Sequence, residues 1–216
     1  AEKPWLDYHE RFAKPLSNIV GALPSEVTVM NTLTVNLHLL MVSFYKPQPK
    51  KFKILCEAKA FPSDQYMMQS QVQFHGYNPD DAIVEIHRRE GEHNLRLEDI
   101  LAKIEELGDE LALVMIGGVN YYTGQLFDIK SITEAAHQVG AIAAFDLAHV
   151  AGNVPMELHA WNVDFAVWCS YKYLNAGPGA VGGVFVHEKH ATNINTPRLG
   201  GWWGNDEATR FKMEKG

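Results

Sequence analysis

The sequence predicts an α/β domain with a mainly parallel sheet. Three observations carry that class. Seven short apolar runs recur along the chain, helical periodicity fills most of the gaps between them, and the run over 111–116 is apolar at every position. A strand that is apolar throughout is one covered on both faces, as in a parallel sheet flanked by helices. The 216 residues are 46% hydrophobic and 21% charged, enough for one sizeable core. No repeat, low-complexity run or linker interrupts them, so 1–216 reads as a single domain.

The elements follow in order. Trp5, Leu6, Phe12, Leu16, Ile19 and Val20 are spaced for a surface helix over 5–21, ended by Gly21 and Pro24. A short strand spans 27–30. Leu33, Leu37, Leu40 and Met41 mark a buried helix face over 33–42, with Asn31 or Thr32 as its N-cap. A loop at Pro47 and Pro49 leads to a strand over 52–57. Pro62 suits a helix start, and that helix runs to about His75. A strand over 82–86, an amphipathic helix over 96–107 closed by Gly108, and the apolar strand 111–116 come next. A helix over 128–139 ends at Gly140. A strand over 141–145 terminates on Asp146, another spans 163–167, and the last covers 181–187.

Charge and cysteine content narrow the classes. A net charge of -7 gives no support to nucleic-acid binding. The one basic cluster, Lys50-Lys51-Phe52-Lys53, reads as a solvated lead-in to a strand. Cys56 and Cys169 sit in apolar runs, predicted as strand, and read as reduced, buried thiols. There is no glycosylation sequon, signal peptide or 18-residue apolar run, so a soluble cytoplasmic chain with no membrane partner is expected. The chain starts at Ala1-Glu2-Lys3-Pro4-Trp5 without Met, in an ordered-looking segment, and stops after 210–216 with no closing element. An excised piece of a longer chain is therefore expected.

Ligands of open α/β sheets bind beyond the C-terminal strand ends. Residues just past those ends include Thr34, Phe61 to Asp64, Gly117, Asp146, His149 and Tyr171-Lys172. No pair of carboxylates in glycosidase-like roles and no Ser-x-Gly elbow stands out. Lys172 alone reads first as a surface lysine in a strand-to-loop turn; partly desolvated, it is a candidate for Schiff-base chemistry. Asp146 follows five apolar residues. It is either a local turn or N-cap acceptor, or a partner for a cationic ring nitrogen or a metal. Lysine and aspartate on adjacent strand ends are the protein half of pyridoxal-phosphate chemistry. The helix start at Leu33-Thr34 supplies the phosphate site.

At this point the residues meet a family. Asn31 to Leu40, Phe61-Pro62-Ser63-Asp64, Tyr122-Thr123-Gly124-Gln125, Phe145-Asp146-Leu147-Ala148-His149, Ser170 to Gly177 and Thr209 to Met213 together resemble kynureninase, in family order and along essentially the whole chain. The lysine motif alone resembles the broader class V aminotransferase-like group. The resemblance implies a three-layer αβα sandwich with a mixed, mainly parallel seven-stranded sheet, the large domain of a fold-type-I pyridoxal-phosphate enzyme. It implies pyridoxal 5'-phosphate held covalently on Lys172, which would also move the substrate α-proton. Asp146 would pair with the ring nitrogen, with His149 beside it. Phe61 would stack on the ring, with Pro62, Ser63 and Asp64 next to it and Asp64 hydrogen-bonding nearby. Leu33, Thr34 and Tyr171 would reach the phosphate, and Tyr171 is the candidate for proton transfer during hydration and cleavage. Trp202 would reach a cofactor site across a homodimer. The implied reaction hydrolyses L-kynurenine or 3-hydroxykynurenine to anthranilate or 3-hydroxyanthranilate and L-alanine.

Two departures from the family pattern stand out. Gly117 occupies a position where the family commonly has a serine touching the cofactor. On the resemblance, the chain is also expected to lack the family's smaller C-terminal domain, which supplies the substrate-carboxylate arginine, and an N-terminal segment. Weak or no turnover is therefore expected of this piece alone. Other signals carry less. The G-x-G-x-x-G match at 177–182 contains Pro178 and precedes a strand, so it is not read as a dinucleotide site. His187 and His190 lack an evident third ligand, and no metal is assigned. His38 reads as a core histidine, and Trp202-Trp203, without the resemblance, as core or interface aromatics. Another class V-like enzyme, a cysteine desulfurase or aminotransferase, is one alternative. A non-catalytic interaction module on the same scaffold is the other.

Overall fold

The computed structural model describes residues 5–214. The ordered start expected at Ala1-Glu2-Lys3-Pro4 lies outside the described residues. Where the sequence predicts one helix over 5–21, a 3-10 turn (His9–Phe12) runs into α1 (Ala13–Val20). Pro15 explains the difference. It has no N–H to donate, and its ring clashes with the carbonyl four residues back, so it tolerates only the first turn of an α-helix. Gly21 closes α1 at φ 63°, and a Cβ there would meet the Met156 carbonyl oxygen at 2.1 Å.

There follow β1 (Val27–Val29), α2 (Leu33–Phe44), β2 (Lys53–Glu57), α3 (Pro62–Phe74), the short α4 (Pro79–Ala82) and β3 (Ile83–Ile86). Then come α5 (Leu97–Leu107), β4 (Leu111–Gly117), α6 (Ile129–Gln138), β5 (Ile142–Asp146), β6 (Phe165–Trp168) and β7 (Gly183–Val186). Ala82, predicted as strand, closes α4 instead, because Asn78 caps that turn by accepting from the Asp80 N–H. Cys169 falls just beyond β6 rather than within it, and both thiols are buried. Thr32 occupies the N-cap of α2, but its side chain makes no capping bond. Asn31, at φ 47°, donates to Asn36 instead, and Asn36 donates to the Met30 carbonyl.

The seven strands form one sheet in the order β1-β7-β6-β5-β4-β2-β3. All neighbours from β6 to β3 are parallel, and β7 runs against both β6 and β1. On one face α1, α5 and α6 bury Leu16, Val20, Ile100, Ile104, Ile132 and Ala136. On the other, α2 and α3 bury Leu37, Met41, Met67, Met68 and Val72. Each of these side chains larger than alanine contributes roughly 1.5–3 kcal/mol by leaving water. The three-layer α/β arrangement predicted from the sequence is the one observed. Gly183 is needed for it, because a Cβ there would lie 2.2 Å from the fully buried Trp168 ring. The parallel run brings the ends of β2, β4, β5 and β6 to one edge. Among the described residues, no helix is long and apolar enough to cross a membrane.

Candidate functional site

The parallel edge carries Glu57 at the end of β2, Gly117 at the end of β4 and Asp146 at the end of β5. Past β6 the chain turns sharply. Ala176 N–H bonds back to the Ser170 carbonyl and Asn175 N–H to the Lys172 carbonyl, with Asn175 left-handed at φ 57°. This turn leaves Lys172 half-buried. Its Nζ lies 3.1 Å from His149 Nε2, 5.7 Å from the Phe61 ring centroid and 5.9 Å from that of Tyr171. Burial, and then the charge on Lys172, push His149 down, so its neutral ring serves as acceptor for the lysine.

Three carboxylic acids converge beside the lysine, where the sequence suggested no working pair. Asp146 accepts the Ala148 N–H at 2.7 Å, so the turn-acceptor reading is correct for one oxygen. Burial raises Asp146, opposed by that N–H, by Asp64 and by the charge on Lys172. Asp64 is raised well above the usual carboxylate range, first by burial and then by the charge on Asp146. Asp64 Oδ1 is buried without any hydrogen-bond partner. Glu57 accepts the Gly117 N–H at 3.2 Å, and burial pushes it up to about 7. Burial, and then the neighbouring Cys169 thiol, raise Tyr171, which stays a protonated phenol at neutral pH.

One cavity of about 80 Å³ is lined by Leu33, Thr34, Phe61, Ser63, Asp64, Gly117, Asp146, His149, Tyr171 and Lys172, so ten of the expected residues meet. Pro62 does not line it; it starts α3 from an exposed position. Trp202 lies outside this chain's cavity. Its Nε1 donates to the Arg210 carbonyl and its ring packs edge-on against Trp203 and Phe211. The sequence reading missed Glu57 and Tyr121, the latter edge-on to Phe61 at 5.3 Å. The signal for Glu57 was present: its strand ends on an acid, just as 141–145 ends on Asp146. A larger cavity of about 590 Å³ opens on the other side of Tyr121. Both of its arginines are engaged, Arg89 by Asp99 and Arg88 by the His93 carbonyl.

The donor set suits an aromatic cation bearing a phosphate and an aldehyde. Two coupled buried acids, one with an orphaned oxygen, want a positive charge. The uncapped start of α2 at Leu33 and Thr34 offers backbone N–H groups to an anion. A half-buried lysine held by a neutral histidine as hydrogen-bond acceptor is a candidate imine-forming amine. At Gly117 a Cβ would meet Glu57 Oε1 at 3.1 Å, so a larger residue needs Glu57 to yield by a few tenths of an ångström.

The family model for class V aminotransferases matches residues 9–208. A kynureninase of Flavobacterium johnsoniae is 73% identical over 214 residues, 99% of this chain and 50% of that protein. A kynureninase of Nematostella vectensis is 58% identical over 212 residues, 98% of this chain and 46% of that protein. The chain thus spans about half the length of the curated relatives it matches. A solved C-DES variant with glycine covalently linked to its PLP cofactor has a TM-score of 0.72 at 19% identity, over 89% of this chain and 49% of that one. That likeness concerns the fold.

Proposed function

From the premise that the chain belongs to the class V aminotransferase family, we propose that residues 1–216 are the cofactor-binding large domain of a pyridoxal-phosphate-dependent kynurenine hydrolase. The products are anthranilate, or its 3-hydroxy form, and L-alanine, a step of tryptophan breakdown toward NAD. The protein works in the cytoplasm as a homodimer whose sites both subunits complete, with Trp202 reaching the partner's cofactor. The observation that carries the reading is the meeting of Lys172, the Asp64–Asp146 pair and the α2 start in one cavity. The 73% and 58% identity to kynureninases supports the substrate.

Bound there, pyridoxal phosphate supplies an imine-forming aldehyde and a ring that accepts electron density from the substrate. The chain's residues do the rest. Asp146, oriented by the Ala148 N–H, would as a carboxylate pair with the ring nitrogen and keep it protonated, with the protonated Asp64 beside it. The neutral His149 ring accepts a hydrogen bond from Lys172 Nζ and orients the amine, which would later move the proton at the substrate α-carbon. Phe61 would pack against the ring, and the Leu33 and Thr34 N–H groups would hold the phosphate. Tyr171, kept protonated, donates to the oxygen of the substrate ketone as water adds. Cys56 and Cys169 are buried, with the Cys56 thiol pushed up by burial, so neither is placed as a desulfurase nucleophile.

The test is anthranilate fluorescence. The intact protein loaded with pyridoxal phosphate releases anthranilate from L-kynurenine, and Tyr171→Phe slows it by about 10²–10⁴. Cysteine desulfuration without anthranilate release would replace this reading with the desulfurase one.

A further inference from the structure

Two histidines near the end of the chain, His187 and His190, are separated by the fold. His190 Nε2 turns to Asp164 Oδ1 at 2.8 Å. His187, just past β7, turns to Glu26 and His159, on the sheet edge opposite the Lys172 cavity. His159 Nδ1 lies 2.9 Å from Glu26 Oε1, and His187 Nδ1 lies 3.7 Å from the same oxygen. All three atoms fall within 4.8 Å of one another.

These spacings match the coordination shell of a small divalent ion. With bonds of about 2.0–2.2 Å, neighbouring ligands of a tetrahedral zinc lie about 3.3–3.5 Å apart. The tautomers fit as well. His187 Nε2 faces the His159 carbonyl at 3.3 Å, which fixes its proton there and leaves Nδ1 the acceptor; the two rings stack at 15° with centroids 4.9 Å apart, so an ion held by both needs one ring to turn. A ligating histidine commonly gives its other N–H to a backbone carbonyl in this way. Glu26 is fully buried and already aimed: Leu23 N–H holds Oε2 at 2.8 Å and Glu188 N–H holds Oε1 at 2.9 Å. His159 is about one-third exposed and gives the entry path. One existing bond competes, the Lys189 N–H to His187 Nδ1 at 3.1 Å, which an ion would displace.

We propose that Glu26, His159 and His187 form a binding site for a zinc-class divalent cation, with the fourth position open to water. The ion takes the place of the proton that His159 shares with Glu26, so binding releases about one proton. It ties together three separate pieces: the turn before edge strand β1, the turn at His159 and the end of β7. The site is empty here and lies outside the reaction chemistry; its role is to fasten the antiparallel end of the sheet.

Cobalt(II), a coloured stand-in for zinc, tests this in the intact protein. The expected result is one equivalent bound with intense d–d absorption, displaced by zinc. His159→Gln and His187→Gln should weaken binding by at least about tenfold, the upper-range effect of losing even an outer partner being larger still. Glu207→Gln, in the exposed Asp7, Glu10 and Glu207 cluster, should leave it unchanged. X-ray absorption at the zinc edge needs no variant, and should count two imidazole nitrogens. No d–d bands, a wild-type affinity in His159→Gln, loss in Glu207→Gln, or a shell without imidazole would each overturn the proposal.

Discussion

The two edges of the sheet bury the same kind of group and treat it in opposite ways. On the edge opposite the cavity, Asp164 receives His137 and the Ala143 N–H on one oxygen, and His190 and Lys189 on the other. Burial pushes this carboxyl up, but those bonds outweigh it and hold it well below the usual carboxylate range. Glu26 likewise ends lowered, because His159 and two backbone N–H groups overcome its burial. On the cavity edge, Glu57, Asp64 and Asp146 are as deeply buried but short of donors, and all three are raised. Buried acids supplied with donors lock the fold together. Buried acids left short of them are held in reserve for a ligand.

Four changes would break or sharpen that contrast. The largest effect is expected at the saturated edge. Asp164→Ala strands His137, His190 and Lys189 and should cost about 3–5 kcal/mol in urea unfolding, with cofactor binding per folded molecule unchanged. Next, Asp146→Asn on the cavity edge should leave unfolding nearly unchanged and lower turnover by about 10²–10³, roughly 3–4 kcal/mol of transition-state stabilisation. If Asp146→Asn unfolded the protein while Asp164→Ala did not, the assignment of the two edges would be reversed.

The third effect is one of pH. Folded Glu57 keeps a proton up to about 7 that the unfolded chain loses above 4.5. Its contribution is thus fully present below 4.5 and is lost as pH rises through about 7, on the order of 3 kcal/mol. Glu57→Gln should flatten that slope in denaturation curves measured from pH 4.5 to 8. Asp164, being lowered, has the opposite sign: its contribution holds above the ordinary carboxylate range and fades as pH falls below it. The smallest effect belongs to Gly117→Ser. The new side chain must nudge Glu57 Oε1, at 3.1 Å from its Cβ, and a new hydrogen bond of about 0.5–1.5 kcal/mol should tighten pyridoxal phosphate by roughly tenfold or less in a titration.

Much of this was legible in the sequence because it follows from local pattern. Fully apolar runs such as Leu111–Ile116 mark buried strands, and Lys172, Asp146 and Phe61 stand just past or at strand ends. Helix starts were less legible. Pro15 moved the first one, and the Asn31–Asn36 bond took the side chain expected to cap α2. Glu57 passed as the last residue of a strand, because burial and donor supply, which set its proton affinity, are tertiary facts. The Glu26, His159 and His187 cluster had no spacing to read, since it joins residues 133 apart across the sheet.

The central claim is that Lys172, backed by His149 and the Asp64–Asp146 pair, is the amine that holds pyridoxal phosphate. Absorption spectra of the intact protein and of Lys172→Ala, each mixed with pyridoxal phosphate, test it directly. The wild type should develop a visible Schiff-base band that borohydride fixes onto the peptide containing Lys172, and the variant should show only free cofactor. A band of equal strength in Lys172→Ala, or a borohydride adduct on another lysine, would contradict it.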